Sequence, residues 1–305
     1  QSYNPVSGTT KLKSLCFCYV DNINIENISF NKIVGDCIEI LDSTNVVIKN
    51  ITIDDVIGHG LSLGKPSHGI ENINVEKCNI LNQKEYDGTI STNPVLIGAI
   101  NGQLKDIYMN NCAWGLKVEN PSKNLTIIDS IFEKGINNQN TGFKSQGNSD
   151  ILNVQNITFK NCKVIDSSIT GYGFYDIYSL NTKYENCEVI NSMGFYLRGA
   201  NTLVKNCYLY NAKQGFYIRN ESNKVQIKDC IIKCDNVDYY ENAFINNNAS
   251  TNEVILSNII IYCLLTDIAR YITFGNCKCD NIYIYSNEIV GSAKFGSVTN
   301  AKLNN

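Results

Sequence analysis

The chain has two histidines, His59 and His68, and both fall in one stretch that also carries the carboxylates Asp36, Glu39 and Asp42. Cleaving a glycosidic bond takes one carboxyl group that gives a proton and another that activates the attacking group from the opposite face. Asp36 and His59 are the catalytic candidates, implied by what this stretch resembles rather than by the spacing of its residues. A plain structural reading competes with it: Asp36 hydrogen-bonded in a turn, and His59 filling a bend between Gly58 and Gly60. A second constellation is longer. Tyr196 and Arg198 alternate with Phe195 and Leu197, and Tyr217 and Arg219 alternate with Phe216 and Ile218. With Lys117, Lys144 and Tyr175 they make a row of outward rings and cations. Such a row suits a glycan, through ring stacking and charge-assisted hydrogen bonds, or a protein interface. An ordinary solvated sheet with Tyr chosen for its β-propensity is the bland alternative. No cofactor is implied and no metal site is read. The pairs Cys16/Cys18, Cys230/Cys234 and Cys277/Cys279 have no histidine near them.

The elements that must position these residues are announced by a repeat. The phrase apolar–any–Asn–(Cys or Ile)–any–apolar returns about eleven times, at gaps of about 18 to 34 residues. It is clearest around Asn27, Asn50, Asn156, Asn186 and Asn206, with weaker copies centred on Lys77, Asn111, Asp129, Asp229, Asn258 and Ser286. Each copy alternates with period two, as a strand does. A second short strand usually follows, opened by a glycine as in Gly60-Leu61-Ser62-Leu63 or Gly194-Phe195-Tyr196-Leu197. No stretch of ten residues has helical spacing. Such a unit cannot bury its own apolar face, so units must stack and share a core. The pattern predicts an all-β chain: one right-handed parallel β-helix of about eleven rungs over 1–305, with 1–11 as a short extension. The Asn at the third position answers the need of a tight bend for left-handed backbone angles, and stacked bends align the amides into a ladder. Cys78, Cys112, Cys162, Cys187, Cys207 and Cys230 follow bend residues and are expected in one inward column of buried thiols.

From Asp21 to Gly64 the chain resembles the polygalacturonase family of right-handed β-helices. The resemblance is carried by Gly35-Asp36-Cys37-Ile38-Glu39-Ile40, then Ser43-Thr44-Asn45-Val46-Val47-Ile48, then Gly58-His59-Gly60-Leu61-Ser62-Leu63-Gly64, in place of the family's D-D-C, S-x-N-V-x-I and G-H-G-I-S-I-G. It implies that Asp36 stands where the acid stands and His59 where the family's His stands. Gly35 replaces the first Asp of D-D, and the upstream Asp of N-T-D falls near Lys13. The family's R-I-K matches either Thr89-Ile90-Ser91 or Lys117-Val118-Glu119. The catalytic set is therefore incomplete, with Glu39 on the Asp36 strand as the substitute at hand.

Composition bounds the partners. Of 305 residues 45 are Asn, the net charge is −3 and the pI about 5.5. That balance favours neither nucleic acid nor an anionic membrane, and no apolar run is long enough for membrane insertion. The chain begins at Gln1 and reads as a processed or excised segment. Sequons at Asn27, Asn50, Asn124, Asn156, Asn220 and Asn248 are glycosylation candidates. Thirteen cysteines point to an extracytoplasmic home. Neither end reads as a capping helix, which points to a fragment of a larger protein or to other copies of the chain as partners, end to end or side by side, while the row of rings and cations points to polysaccharide. The sequence leans to a non-catalytic β-helix of extracellular, cell-surface or virion-surface location, adhesive or filamentous. The alternative is a polysaccharide-degrading glycoside hydrolase of polygalacturonase type with a reduced or relocated site.

Overall fold

The structure is a computed structural model, and it describes residues 13–85, 92–136, 141–147, 153–167, 171–219, 224–234, 245–247, 254–263, 277–286 and 297–304. Every element among them is a strand. Every strand pairing is parallel, and the single antiparallel bridge among the described residues, Lys65 with His68, closes a loop. This is the expected parallel β-helix. Nine turns, from Lys13 to Cys234, have all their sides described. The shortfall against eleven lies beyond Ile218, where the sides are only partly described. One corner alone does run through eleven levels, from Asn27 to Asn281.

Each turn is cut into short sides by left-handed corners five residues apart. The triplets are Asn22/Asn27/Lys32, Asn45/Asn50/Asp55 and Asn72/Lys77/Asn82 in the first turns, and Asn156/Asn161/Asp166, Asn181/Asn186/Asn191 and Asn201/Asn206/Asn211 higher up. All have φ near +55°, a conformation that Asn and Asp adopt at least cost among residues with a Cβ. Three ladders follow where the sequence suggested one. In the first corner Asn124, Asn156, Asn181 and Asn201 each donate an amide N–H to the residue one turn below, at 2.9–3.1 Å. In the middle corner Asn50, Asn161, Asn186 and Asn206 do the same at 2.9–3.3 Å. In the third corner Asn111, Asn191 and Asn211 do so at 2.6–2.8 Å. Three of the phrase centres read from the sequence therefore sit five residues off the middle corner: Asn111 and Ser286 on the third, Asn156 on the first. The cysteine column is corrected in the same way. Cys78, Cys162, Cys187, Cys207 and Cys230 follow the middle corner, but Cys112 follows Asn111 and belongs to the next column. All of these are free thiols. Burial pushes Cys78 and Cys112 up to about 12 and holds Cys187 and Cys230 well above the usual range.

The sides between corners point apolar residues inward. On the side that will matter for function, Ile38, Leu61, Val95 and Leu116 stack in register and give way to Phe143, Phe174, Phe195 and Phe216. All are fully buried. The phenylalanine rings lie flat on one another, with centroids 5.5, 4.8 and 5.2 Å apart. One carboxylate interrupts this core. Asp176 points inward beside Phe174, fully buried, and accepts hydrogen bonds from Ser179 Oγ and from Thr202 Oγ1 (2.8 Å for the latter). Burial outweighs these bonds and raises its carboxyl to about 6.

Because the folded state holds that proton more tightly than the unfolded chain, Asp176 costs nothing below about pH 4. It costs progressively more as pH rises through 6, to about 3 kcal/mol. Asp176→Asn should lift the melting temperature at pH 7 and leave it nearly unchanged at pH 4. Thermal unfolding followed by circular dichroism at the two pH values measures the difference, and an equal shift at both would refute this account.

Candidate functional site

One sheet of the solenoid carries the sequence-derived candidates. Its strands are Lys13–Cys18, Asp36–Leu41, Leu61–Leu63, Val95–Ile97, Leu116–Glu119, Phe143–Gln146, Tyr172–Leu180, Met193–Ala200 and Gln214–Ile218, each paired in parallel with the next. Two outer columns run along it. The backbone of Lys13 pairs with that of Asp36. Asp36 is followed one turn on by His59 and then by Asn93. Beside them run Cys16, Glu39, Ser62, Leu96, Lys117, Lys144, Tyr175, Tyr196 and Tyr217 in unbroken register.

The glycines around His59 are demanded by the stacking. Gly58 has φ +131°, and a Cβ there would lie 2.5 Å from the Gly35 carbonyl oxygen. A Cβ on Gly60 would lie 2.8 Å from the Pro94 oxygen. The backbone of Gly58-His59-Gly60 is thus pressed between neighbouring turns. His59 N–H donates to Asp36 Oδ1 at 3.3 Å. The His59 ring is nearly buried, and its Nδ1 lies 2.8 Å from the Asn93 carbonyl oxygen. The Asn93 backbone N–H lies 3.2 Å from the same nitrogen, so Nδ1 can donate to the Asn93 carbonyl when protonated and accept from the Asn93 amide when not.

Asp36 and Glu39 have no exposed surface at all. Both face Lys65, whose Nζ is 3.6 Å from Asp36 Oδ2 and ion-paired to Glu39 Oε1. Cys16 Sγ approaches Glu39 Oε2 at 3.5 Å. Sequence reasoning missed Lys65. It sits in a four-residue loop closed by mutual backbone bonds between Lys65 and His68 (3.0 and 2.9 Å), and no motif places a loop side chain over a strand one turn below. Its signal was its place just after the Gly64 that ends the resembling segment. The second histidine is held apart: His68 Nδ1 pairs with Asp42 Oδ2 at 2.7 Å and remains exposed. Two buried polar atoms at the site lack a hydrogen-bond partner among the described residues, Asp36 Oδ2 and, one turn above Glu39, Ser62 Oγ. Such atoms are few in folded proteins; here Asp36 Oδ2 faces the Lys65 ammonium at 3.6 Å, and others lie elsewhere on the coil, at Ser145 and Tyr184.

The Tyr/Arg row is also assembled, with a change in what it can do. Tyr175, Tyr196 and Tyr217 stack outside the phenylalanine column, and Arg198 and Arg219 lie one column further along the strands. Tyr175 and Tyr196 rings are parallel at 4.3 Å, and Tyr172 packs edge-on against Tyr196 at 5.1 Å. Lys144 caps the Tyr175 ring at 5.1 Å, Arg198 lies over Tyr178 at 4.3 Å and Arg219 over Tyr217 at 5.7 Å. The ring faces are thus spent on one another and on cations, and Tyr196 is 9% exposed. What the row presents is hydroxyls, ring edges and positive charge. Burial pushes the Tyr175 hydroxyl up to about 12, so it stays a donor. Lys117 is paired to Glu119 at 2.8 Å. Burial, aided by Lys117, lowers Lys144 to about 8.

Of the other candidates, Thr89-Ile90-Ser91, Asn220 and Asn248 lie outside the described residues. Asn27, Asn50, Asn124 and Asn156 are exposed corner residues, and the side-chain N–H of the last three is already donated within the ladders.

No family model matches the chain, and no curated protein matches it in sequence. Solved structures of similar coil include an alginate lyase from Paenibacillus sp. str. FPU-7 (8% identity, 87% of this chain and 93% of that one, TM-score 0.43). They also include the catalytic unit of a GH87 alpha-1,3-glucanase from Streptomyces thermodiastaticus strain HF3-3 (10%, 89% and 63%, 0.43). A third is the C387A mutant of DFA-IIIase from Arthrobacter chlorophenolicus A6 in complex with DFA-III (9%, 85% and 60%, 0.43). The similarity is one of fold alone.

The lock on the two carboxylates can be tested directly. Lys65→Met leaves two buried negative charges facing each other without their cation, a loss of roughly 3 kcal/mol or more. The variant should melt well below the parent at pH 7 and recover most of that deficit at pH 4, where a proton can replace the ammonium. Thermal melts at both pH values read this, and an unchanged melting temperature at pH 7 would show that the pair carries no weight.

Proposed function

We propose that this protein acts on a polysaccharide, laid along the sheet that runs from Asp36–Leu41 to Gln214–Ile218, with glycoside hydrolysis at the Asp36–Glu39 end. One observation carries the reading. Two buried carboxylates converge on Lys65 beside His59, with orphaned oxygens on Asp36 and Ser62, at the foot of the row that leads to Tyr175, Tyr196 and Tyr217. From Glu39 to Tyr217 is seven steps of about 4.8 Å, roughly 34 Å, which is room for an oligosaccharide. The hydroxyls and cations of the row supply directional bonds to sugar hydroxyl or acidic groups. Turnover requires Lys65 to withdraw, after which one carboxyl protonates the leaving oxygen and the other attacks or activates water. Two carboxylates sharing one ammonium are close together, nearer to the roughly 5–5.5 Å of double-displacement enzymes than to the roughly 6.5–9.5 Å that leaves room for a water. A cell-surface, virion-surface or otherwise extracellular site of action fits a polymeric glycan.

A second reading, adhesion without turnover, is favoured by the complete burial of both carboxylates under Lys65. The two separate cleanly. Against a panel of neutral and acidic polysaccharides, reducing ends should appear, and Asp36→Asn and Glu39→Gln should each remove at least 99% of the rate. Retention in affinity electrophoresis with no product from any glycan would leave the adhesive reading standing and retire the hydrolytic one.

If the glycan is acidic, Lys144 imposes a pH dependence. Its ammonium is present below about pH 8 and lost above it. Affinity should fall severalfold between pH 7 and pH 9, and Lys144→Arg, which keeps its charge, should flatten the profile. Titration calorimetry across that range is the measurement, and an identical slope in the variant would exclude Lys144 from the contact.

A further inference from the structure

A different side of the solenoid changes character along its length. On the side that follows the middle corner, the early turns present Ser29 and Asn31, Thr52 and Asp54, then Asn79. The late turns present rings and branched chains. In one column Tyr208, Ile231, Ile260 and Tyr283 succeed one another in register. Two residues on, Tyr210, Lys233, Tyr262 and Tyr285 do the same. Tyr210, Ile231, Tyr262 and Tyr285 are 36–40% exposed, the four being most of the exposed large apolar residues outside the first turns. Rings of Tyr262 and Tyr285 lie parallel at 5.0 Å, so they show edges and hydroxyls outward rather than faces. The charge on this face is Lys233, which lies over the Tyr210 ring at 5.1 Å.

An exposed, flat, nearly uncharged sheet face rich in Tyr and Ile has the composition of a protein contact surface. With the ring faces covered, it is poorly built to stack on sugars. The residue order identifies the partner. Between the Glu188 position below and the Lys302 position above, the column reads Tyr-Ile-Ile-Tyr in both directions over these four levels. A two-fold axis in the contact plane, parallel to the strands and midway between Val225–Cys234 and Val254–Cys263, maps it onto itself. We propose that this face pairs with the same face of a second copy, the two rods antiparallel. Ile231 then meets the Ile260 of the other copy, and Tyr208 meets Tyr283. Each Lys233 meets a Tyr262, whose outward hydroxyl can accept from the ammonium, instead of the other Lys233. The contact is isologous and closes at two, leaving both copies' polysaccharide-facing sheets outside it.

Sedimentation velocity over a micromolar-to-millimolar series is the test. The unmodified protein should shift from one to two copies with concentration. Ile231→Asp and Ile260→Lys, both on the surface side of their strands, should each weaken the association at least tenfold while the circular dichroism spectrum is kept. An equimolar mixture of the two variants should restore a dimer, because the axis sets the introduced carboxylate of one variant against the introduced ammonium of the other. Tyr262→Asp is the replacement should either variant misfold. A protein that stays monomeric throughout, one that grows beyond two copies, or a mixture that does not recover would overturn the proposal.

Discussion

The structure depends on a single repeated backbone event, a left-handed residue at every corner. Holding an L-residue there costs about 1–2 kcal/mol relative to the right-handed region. Asn meets the requirement at least cost, and stacking turns the requirement into a gain. Each corner amide donates to the one beneath it, at 2.6–3.3 Å along the three ladders. A net hydrogen bond is worth about 1 kcal/mol. The ladder therefore offsets the strain only because all turns keep the same phase. Where Lys or Asp occupies a corner, as at Lys77, Asp129 or Asp229, the angle is kept and the donated bond is lost or replaced by one to a carboxylate.

Fixed phase also makes columns, and columns are the functional unit of this molecule. Any residue at a given offset from the corner meets its counterpart one turn away. Inside, this lines up Ile, Leu and Val and then four phenylalanines. Outside, one residue along, the same register lines up Glu39, Ser62, two lysines and three tyrosines. The inner and outer columns are coupled through the alternation of the strand. The turns that bring Phe174, Phe195 and Phe216 into the core bring the neighbouring Tyr175, Tyr196 and Tyr217 onto the outer sheet, while Phe143 is followed outward by Lys144.

The candidate site shows how strongly that economy constrains chemistry. Its carboxylates sit where a glycan would lie, yet both are shut from water and face one lysine supplied by a loop from the next turn. A buried ion cluster of this kind is held together more by the cost of breaking it than by net attraction. The tyrosine row is similar. Its rings gain most of their contact energy from each other, leaving edges and hydroxyls for a partner. A partner laid along this sheet would meet hydroxyls, ring edges and charge rather than ring faces.

The sequence by itself determined the architecture. The spacing of Asn and the period-two alternation sufficed to give stacked parallel strands, the inward place of Phe195 and Leu197, and the outward place of Tyr196 and Tyr217. These are legible because backbone geometry and side-chain period are local properties. The tertiary structure decided the rest. A five-residue corner spacing makes three equivalent ladders, so the phrase around Asn111, Asn156 or Ser286 has the look of a middle corner without being one, and Cys112 moves to the next column with it. Lys65 reaches Asp36 and Glu39 across 26 to 29 residues, and the tyrosine faces are consumed by neighbours one turn away. Contacts between turns depend on the length of every intervening loop, and those lengths vary from 20 to 32 residues per turn without any local pattern that announces them.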